Sequence, residues 1–394
     1  MAQRLRVLFI TSWYPSDQQP VQGVFVREHA KAVHLYDDVA VLHLVGHDRH
    51  MGGIMRMETE RNPALTEGIP TYRAWHRLLP IPSVSYPAYV WAAMQAVRAI
   101  ERQGFRPDIV HAHVYSSGLP AAAVARWRHI PMVLSEHTSA FPRRLLSPQQ
   151  ARVARLALPL ARVVMPDSLA LQRGIEEYGI RATFQVVPNA VDTRIFHPDP
   201  APLASTAKSG IGDWQPGLRR RLLFAGGLVP VKGIPHLLAA LAILSETRHD
   251  WQLDLVGDGP NRDEYVALAA QLGLGDQVAF HGLKPKSEVA ALMRQAYLFV
   301  LPSLWDNSPC VIVEAMASGL PVVASRVGGI PELVTKQTGM LVPPKDPASL
   351  AAALATALDN PNQFDRSLLV RAAERYTSAV VGQEIDAVYK SVIK

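Results

Sequence analysis

The chain has 394 residues, of which 48% are hydrophobic and 19% are charged, and this ordinary globular composition at this length suggests two domains. Its single cysteine, Cys310, excludes an intrachain disulfide, and no apolar stretch approaches the roughly 20 residues that span a bilayer. No signal segment opens the sequence, so we expect a cytoplasmic protein whose membrane contact, if any, is peripheral. The net charge of +6 suits an anionic partner such as a nucleotide sugar, a lipid phosphate, a membrane surface or nucleic acid.

Short apolar runs alternate with helical patterns through the first half of the chain. Helices are predicted at 23–34, 89–103 and 119–129. This alternation predicts a parallel sheet with right-handed crossovers, so residues 1–195 are expected to form one doubly wound, Rossmann-like α/β domain. The predicted strands are 6–10, 39–45, 108–113, 132–135, 163–165 and 184–187.

A segment rich in proline, serine, glycine and alanine then interrupts the pattern, and residues 196–218 are predicted to be a linker. The alternation restarts in a second α/β domain, 219–372, and the helix in 373–394 is expected to return to the first domain. Ligands bind at the carboxyl ends of strands in such sheets, so we expect a central cleft between two facing domains to hold the site. The predicted strands of the second domain are 221–225, 253–256, 277–280, 297–301, 321–325 and 339–342.

The segment 301–321 combines a strand end, a polar loop and a helix start. Its serine–proline pair suits an N-cap and first helical position, which places the next two amides at the positive end of the helix dipole, where phosphate binds well. The carboxylates of Asp306 and Glu314 lie on either side of this position and can accept hydrogen bonds from sugar hydroxyls. The alternative is a solvated surface loop. The residues assigned here to donor binding are Asp306, Ser308, Cys310, Val311 and Glu314.

A second segment supports the same chemistry. The strand 221–225 runs into Gly226 and Gly227, and Lys232 precedes Gly233 at the start of a helix. Glycines allow close backbone approach, and a lysine placed there neutralises a diphosphate. The glycine spacing excludes a Walker-type loop. Without further support, the more common interpretation of this pattern is a surface lysine that follows a tight turn.

Together these motifs resemble the family 4 glycosyltransferases, which are retaining enzymes of the GT-B fold. The first loop is similar to that of enzymes in cell-surface polysaccharide assembly. The resemblance implies hexosyl transfer from a nucleotide-diphosphate sugar to a glycan or lipid-linked acceptor. It rests on residues 15–26, 108–113, 136–137, 187–192, 227–233, 256–260, 280–282 and 306–319.

The resemblance also implies individual roles. Glu314 matches the second glutamate of the Glu-x7-Glu motif, which bonds the donor ribose, and Asp306 stands at the first position, where a glutamate is usual. Lys232 matches the lysine that holds the diphosphate, while Gly227 replaces the usual arginine. One of the two cations that hold the diphosphate in this family, the cationic clamp, is therefore missing. Another cation or backbone amides should compensate for its loss.

Two residues of the first domain have implied roles as well. His137 matches the histidine near the reacting sugar, and Gly23 matches the first-loop glycine whose amide approaches the phosphates. The implied mechanism is front-face displacement with Lys232 stabilising the leaving group. Asp306 as a covalent nucleophile is the less favoured alternative.

No metal or other cofactor is expected to be required, because the sequence contains no Asp-x-Asp motif. His111 and His113 share a strand face and could ligate a metal, but no carboxylate or cysteine cluster accompanies them, which favours a structural or substrate-facing role. The sequence lacks the motifs of a nicotinamide-dependent enzyme and of a serine hydrolase. It also has no stripe of basic residues interleaved with aromatic ones, so it does not support nucleic-acid binding.

The segment 143–162 is predicted to be a helix kinked at Pro159. Leucines and valines fall on one side of its helical projection and arginines on another, and a surface helix packed on the first domain is the favoured reading. The alternative is contact with anionic lipid or a lipid-linked acceptor, helped by the aromatic stretch 75–91. The arginines concerned are Arg144, Arg152, Arg155 and Arg162.

Two other functions remain open from the sequence. A nucleotide-sugar epimerase shares the fold and the diphosphate pocket but needs no acceptor. A binding or partner subunit with weak catalysis is motivated by Gly227 and Asp306, which replace the expected residues.

Overall fold

The computed structural model describes residues 4–48, 54–77, 82–199, 219–360 and 363–393. The chain divides into two compact units, one formed by Met1–Ala190 with Ser378–Lys394 and the other by Val191–Thr377. Most of the predicted linker, residues 200–218, lies outside the described residues.

The first unit is built on a seven-stranded sheet of order β3-β4-β2-β1-β5-β6-β7, in which only β3 is antiparallel to its neighbour. Helices cover it, and two apolar clusters on either side of the sheet form its core. The strands are β1 (Arg6–Thr11), β2 (Asp38–Asp48), β3 (Met55–Thr59), β4 (Thr71–Arg77), β5 (Ile109–His113), β6 (Met132–Glu136) and β7 (Val164–Pro166). The helices are α1 (Val24–His34), α2 (Pro63–Thr66), α3 (Pro82–Arg102), α4 (Gly118–Arg128), α5 (Pro148–Ala157) and α6 (Leu169–Glu177).

Two features of this sheet differ from the sequence prediction. The predicted strand 184–187 is wrong: it forms only an isolated bridge from Phe184 to Val164, because Pro166 of β7 has no N–H to continue the ladder. The edge strand β3 and its neighbour β4 were missed. β3 is mostly polar, with its residues half-buried or exposed, so it lacks the apolar run by which most of the other strands were predicted.

The second unit contains a six-stranded parallel sheet of order β10-β9-β8-β11-β12-β13, and one continuous apolar cluster forms its core. Its strands are β8 (Arg220–Ala225), β9 (Trp251–Val256), β10 (Val278–Gly282), β11 (Leu298–Leu301), β12 (Val322–Ser325) and β13 (Gly339–Val342). Its helices are α7 (Ile234–Ser245), α8 (Arg262–Gln271), α9 (Lys286–Gln295), α10 (Cys310–Ala317), α11 (Ile330–Leu333), α12 (Pro347–Asp359) and α13 (Arg366–Glu374).

The last helix, α14 (Ser378–Val392), packs in the first unit against α1. Gly382 makes this close approach possible, since a Cβ there would lie 2.2 Å from the carbonyl oxygen of Ala32. Buried Tyr389 adds a hydrogen bond between its hydroxyl and Nδ1 of His111, 2.6 Å apart. Helix α14 therefore completes the core of the first unit.

The segment predicted as one helix over 143–162 is shorter, and that prediction is wrong at both ends. Ser147 and Gln150 form a capping box that begins α5, and Arg144 before it has a positive φ of 55°. The helix ends at Ala157, and a 3₁₀ turn, Leu158–Leu160, follows it because Pro159 lacks an N–H. Among the described residues, no helix combines the length and the apolar character needed to cross a membrane.

Candidate active site

In the second unit, the predicted donor residues follow the carboxyl ends of adjacent parallel strands. Gly226 and Gly227 come directly after β8, the loop with Asp306 follows β11, and Lys232 ends a 3₁₀ turn before α7. Because parallel strands end at one edge of the sheet, these loops meet there.

Lys232 and Asp306 form the polar centre of this edge. The Lys232 ammonium donates a hydrogen bond of 2.7 Å to Oδ2 of Asp306, and the Ser303 hydroxyl donates another of 2.8 Å to the same oxygen. The two charged side chains are 20% and 17% exposed, so part of the pair is accessible to a ligand. The structure thus brings together a cation and a carboxylate that are distant in sequence.

Glycines allow the backbones around this pair to approach closely. A Cβ on Gly233, whose φ is 69°, would lie 2.1 Å from the carbonyl oxygen of Pro302, and one on Gly257 would lie 1.9 Å from that of Gly226. Gly227 differs, because a Cβ there would have its closest neighbours at 3.9 and 4.0 Å, which is ordinary contact. A side chain at position 227 therefore fits the backbone.

Helix α10 begins one residue later than predicted. Pro309 has the extended ψ of 111° and precedes the helix, so Ser308 is not its N-cap and the N-cap prediction is wrong. Cys310 and Val311 are the first two helical residues, with side chains packed on the core and backbone N–H groups in the first turn. Glu314 is the fifth helical residue and is 9% exposed.

Arg326 is a cation at the same edge that sequence reasoning missed. It directly follows β12 and is exposed. Its loop contacts the Asp306 loop, since the N–H of Gly329 donates to the carbonyl oxygen of Asp306 at 3.1 Å. The signal available in the sequence was only its place after a predicted strand.

In the first unit, His137 follows β6 and is held by the residue before it. The fully buried carboxylate of Glu136 accepts hydrogen bonds from the backbone N–H groups of His137, Thr138 and Tyr115 at 2.9, 2.8 and 2.7 Å. Burial raises the pKa of Glu136, while the N–H donors oppose that shift. Glu136 thereby fixes the backbone from which the His137 side chain projects.

The loop that precedes α1 lies beside His137. Gly23, with a φ of 69°, is the N-cap of α1, and a Cβ there would lie 2.5 Å from the carbonyl carbon of Trp13. Two residues on, the Phe25 ring packs on the His137 ring with centroids 4.3 Å apart. The structure therefore brings the Gly23 loop and His137 together, as it does Lys232 and Asp306 in the other unit.

Three further histidines surround His137, and sequence reasoning missed one of them, His29 of α1. Burial lowers the pKa of His29 and of His137 to about 3 and lowers that of His113 as well, so the rings are neutral at pH 7. His111 has a structural role, because its two nitrogens pair with the hydroxyls of Tyr389 and Ser135.

The arginines of the predicted basic segment are exposed but do not line one helix face. Arg144 pairs with Glu177 at 3.1 Å, and Arg155 donates to the carbonyl oxygen of Tyr178 at 3.0 Å. Arg152 lies in α5, and Arg162 lies just before β7. The predicted apolar side is also wrong in part, because alanines form the buried face of α5, while Leu145, Leu156 and Leu160 are 57%, 55% and 55% exposed.

Residues 215–375 match the family described as Glycosyl transferases group 1, and residues 46–195 match Glycosyltransferase Family 4. A relative named glycogen synthase, from Mycobacterium tuberculosis, is 30% identical over 74% of this chain and 69% of its own. The chain belongs to glycosyltransferase family 4. TuaC of Bacillus subtilis, provisionally assigned to teichuronic acid biosynthesis, is 28% identical to this enzyme over 89% of the chain and 88% of its own.

A solved structure agrees on the fold. Anabaena Alr3699/HepE, determined in complex with UDP, matches with a TM-score of 0.74 at 22% identity and covers 98% of this chain and 100% of that chain. The enzyme therefore has the GT-B fold, with two parallel-sheet α/β domains, as the sequence predicted. The two sequence relatives are named as a synthase and a glycosyltransferase, which does not favour the epimerase alternative.

Proposed function

We propose that this glycosyltransferase is a retaining enzyme that transfers a hexose from a nucleotide-diphosphate donor to a glycan or lipid-linked acceptor in cell-surface polysaccharide biosynthesis. The observation that carries the proposal is the Lys232–Asp306 pair at the glycine-lined edge of the second sheet. It supplies a cation for the diphosphate and, beside it, a carboxylate for sugar hydroxyls.

In the proposed reaction, the bond between the anomeric carbon and the diphosphate oxygen breaks as the acceptor oxygen bonds to the same face of the sugar. The acceptor proton passes to the departing phosphate oxygen. Lys232 and the first turn of α10, at Cys310 and Val311, stabilise the negative charge that develops on the diphosphate. These groups supply the charge stabilisation, so the proposed transfer requires no metal.

The Lys232–Asp306 ion pair also suggests how the donor engages the site. The ammonium of Lys232 is paired with the carboxylate of Asp306. A diphosphate carries more charge than one carboxylate, so we propose that it draws the ammonium toward itself and leaves Asp306 to accept a sugar hydroxyl. Glu314 is assigned to the donor ribose and His137, with Gly23 nearby, to the donor sugar and phosphates.

UDP is the donor nucleotide to test first. The Anabaena protein HepE was solved with UDP and with UDP-glucose. A role in surface polysaccharide assembly is supported by the resemblance to TuaC. Both observations concern relatives of this enzyme, so the nucleotide base of the donor and the identity of the acceptor are proposals for this chain.

We also propose that the enzyme works at the cytoplasmic face of the membrane. Exposed leucines at 145, 156 and 160 accompany exposed arginines in the same short segment. Arginines meet anionic headgroups while leucines enter the boundary between headgroups and acyl chains. A lipid-linked acceptor would be available there.

Calorimetric titration of the purified enzyme with UDP, GDP and ADP tests the donor site. We expect one nucleotide to bind with micromolar affinity and Glu314→Ala to lose that binding, while Lys336→Ala, an exposed lysine of the same unit, keeps it. Binding of no diphosphate would contradict the proposed donor site and favour the partner-subunit alternative.

Product analysis tests the reaction class. With an accepted donor and acceptor, we expect the anomeric configuration of the donor to be kept in the product. An inverted product would contradict the retaining mechanism. Conversion of the donor into an epimer without any acceptor would favour the epimerase instead.

A further inference from the structure

Three buried histidines of the first unit converge from different elements. His29 lies on α1, His113 is the last residue of β5, and His137 directly follows β6. One ring nitrogen from each lies within 4.8 Å of those of the other two. His29 and His113 have no exposed surface, and His137 is 8% exposed.

The three rings form a nearly equilateral triangle. Their centroids are 5.7 Å apart for His29 and His113, 5.4 Å for His29 and His137, and 5.7 Å for His113 and His137. Nδ1 of His113 lies 3.4 Å from Nε2 of His137. That distance is long for a hydrogen bond, but it matches the separation of about 3.3–3.4 Å between two nitrogens bound to one tetrahedral zinc ion.

The surroundings orient the His29 ring for ligation and place a carboxylate near the His137 ring. Nε2 of His29 lies 3.0 Å from the carbonyl oxygen of Pro188, which makes Nε2 the donor and leaves a lone pair on Nδ1. Nδ1 of His137 lies 3.8 Å from Oδ2 of Asp167, a buried carboxylate. A carbonyl or carboxylate behind the ring is the usual partner of a metal-bound histidine.

One nitrogen of His29 lacks a hydrogen bond among the described residues. This atom, Nδ1, is fully buried. An unmet buried acceptor costs on the order of 1–3 kcal/mol, and a metal ion would supply the missing partner. Neighbouring His111 shows the contrast, because its two nitrogens both have hydroxyl partners.

We infer that His29, His113 and His137 form a binding site for a late first-row divalent cation such as Zn²⁺. Three neutral imidazoles suit this class of ion, with a water molecule as the fourth ligand. The carboxylate of Asp167 offsets part of the positive charge. The site differs from the His111–His113 pair considered from the sequence, since His111 is not a ligand and two ligands come from other elements.

Metal binding is independent of the proposed transferase activity, but its effect on catalysis rests on that function. Nε2 of His137 would bind the ion instead of the donor sugar. The ion is therefore an inhibitor of transfer and is not required for it.

Cobalt titration of the full chain tests the site directly. After removal of metals with a chelator, Co²⁺ is added and its visible d–d absorption is recorded, followed by competition with Zn²⁺. We expect one Co²⁺ per chain in the wild type and in His34→Gln, a matched control because His34 is an exposed histidine of α1. If the wild type develops no stoichiometric band, the inference is overturned.

Substitution of the three proposed metal ligands provides a second test. His29→Gln and His113→Gln should each weaken Co²⁺ binding more than about 100-fold, since changes behind a ligand alone cost 10–100-fold. His137→Gln, at the position that is 8% exposed while the other two have no exposed surface, measures the same loss should a variant of His29 or His113 fail to fold. Unchanged affinity in a folded variant would overturn the assignment. X-ray absorption of the zinc form should show only nitrogen and oxygen ligands, and a sulfur ligand would assign the ion to Cys310 instead.

Discussion

The ammonium of Lys232 donates a 2.7 Å hydrogen bond to Asp306, although 74 positions separate the two residues in the chain. The contact exists because β8 and β11 are neighbours in the second sheet and end at the same edge. A lysine after one strand and an aspartate after another are thereby placed where the proposed donor could meet both.

Lys232→Ala should lower kcat by about 100- to 1,000-fold, because the departing diphosphate loses its main cation. The thermal midpoint should hardly change, since the ion pair is partly exposed and contributes little to stability. Initial rates with the accepted donor measure the effect. Lys336→Ala should have the wild-type rate, and a wild-type kcat in Lys232→Ala would remove Lys232 from the mechanism.

Gly227→Arg should fold normally and raise kcat by about 10- to 100-fold, because it adds the second cation of the clamp where a Cβ meets only ordinary contacts. Gly257→Ala is the opposite case, since its Cβ would lie 1.9 Å from the carbonyl oxygen of Gly226. We expect that variant to be destabilised. An unchanged kcat in Gly227→Arg would show that existing groups, such as Arg326 or backbone amides, already provide the stabilisation.

Gly23→Ala should destabilise the first unit more than Gly179→Ala does. Both glycines have a positive φ, 69° and 74°, which costs alanine about 1–2 kcal/mol. Only Gly23 faces a backbone clash, with Trp13, whereas a Cβ on Gly179 meets nothing within 4 Å. Urea midpoints measure the difference, and equal midpoints would contradict the clash.

Stability should fall as the pH drops below about 6.5. Burial lowers the pKa of His29, His43 and His137 to about 3, so the unfolded chain binds protons at these positions before the folded chain does. At pH 5, each such histidine costs about 2 kcal/mol. Urea midpoints measured from about pH 7.5 down to about pH 5, a range that includes the unperturbed histidine pKa of about 6.5, test this. His29→Gln should show a shallower slope, and a slope equal to that of the wild type would contradict the prediction.

Replacing Leu145, Leu156 and Leu160 by serine should weaken flotation with anionic vesicles by at least about 10-fold, since their exposed apolar surface no longer enters the bilayer boundary. Leu283→Ser is the control, because Leu283 is 58% exposed in the second unit. Equal flotation with neutral and anionic vesicles, or no flotation of the wild type, would argue against the membrane contact.

The strands of both sheets could largely be predicted because most are buried apolar runs bounded by glycine, proline or polar residues. β3 could not, since its alternating polar residues lie at a sheet edge with little burial. The segment 143–162 was mistaken for one amphipathic helix because spacing alone does not show that Ser147 caps a new helix or which face meets the core. Burial on alanines gives no hydrophobic signal.

The alternation of strands and helices, the glycine and lysine motifs and the resemblance to glycosyltransferase family 4 can all be recognised from the amino-acid sequence. These depend on local propensity, spacing and residue type. The contact of Lys232 with Asp306 and the approach of His29 to His113 and His137 are visible only in the folded chain. Contacts of this kind arise from strand order and helix packing, which bring together residues that are far apart in the chain. Separation along the chain does not predict their distance in space.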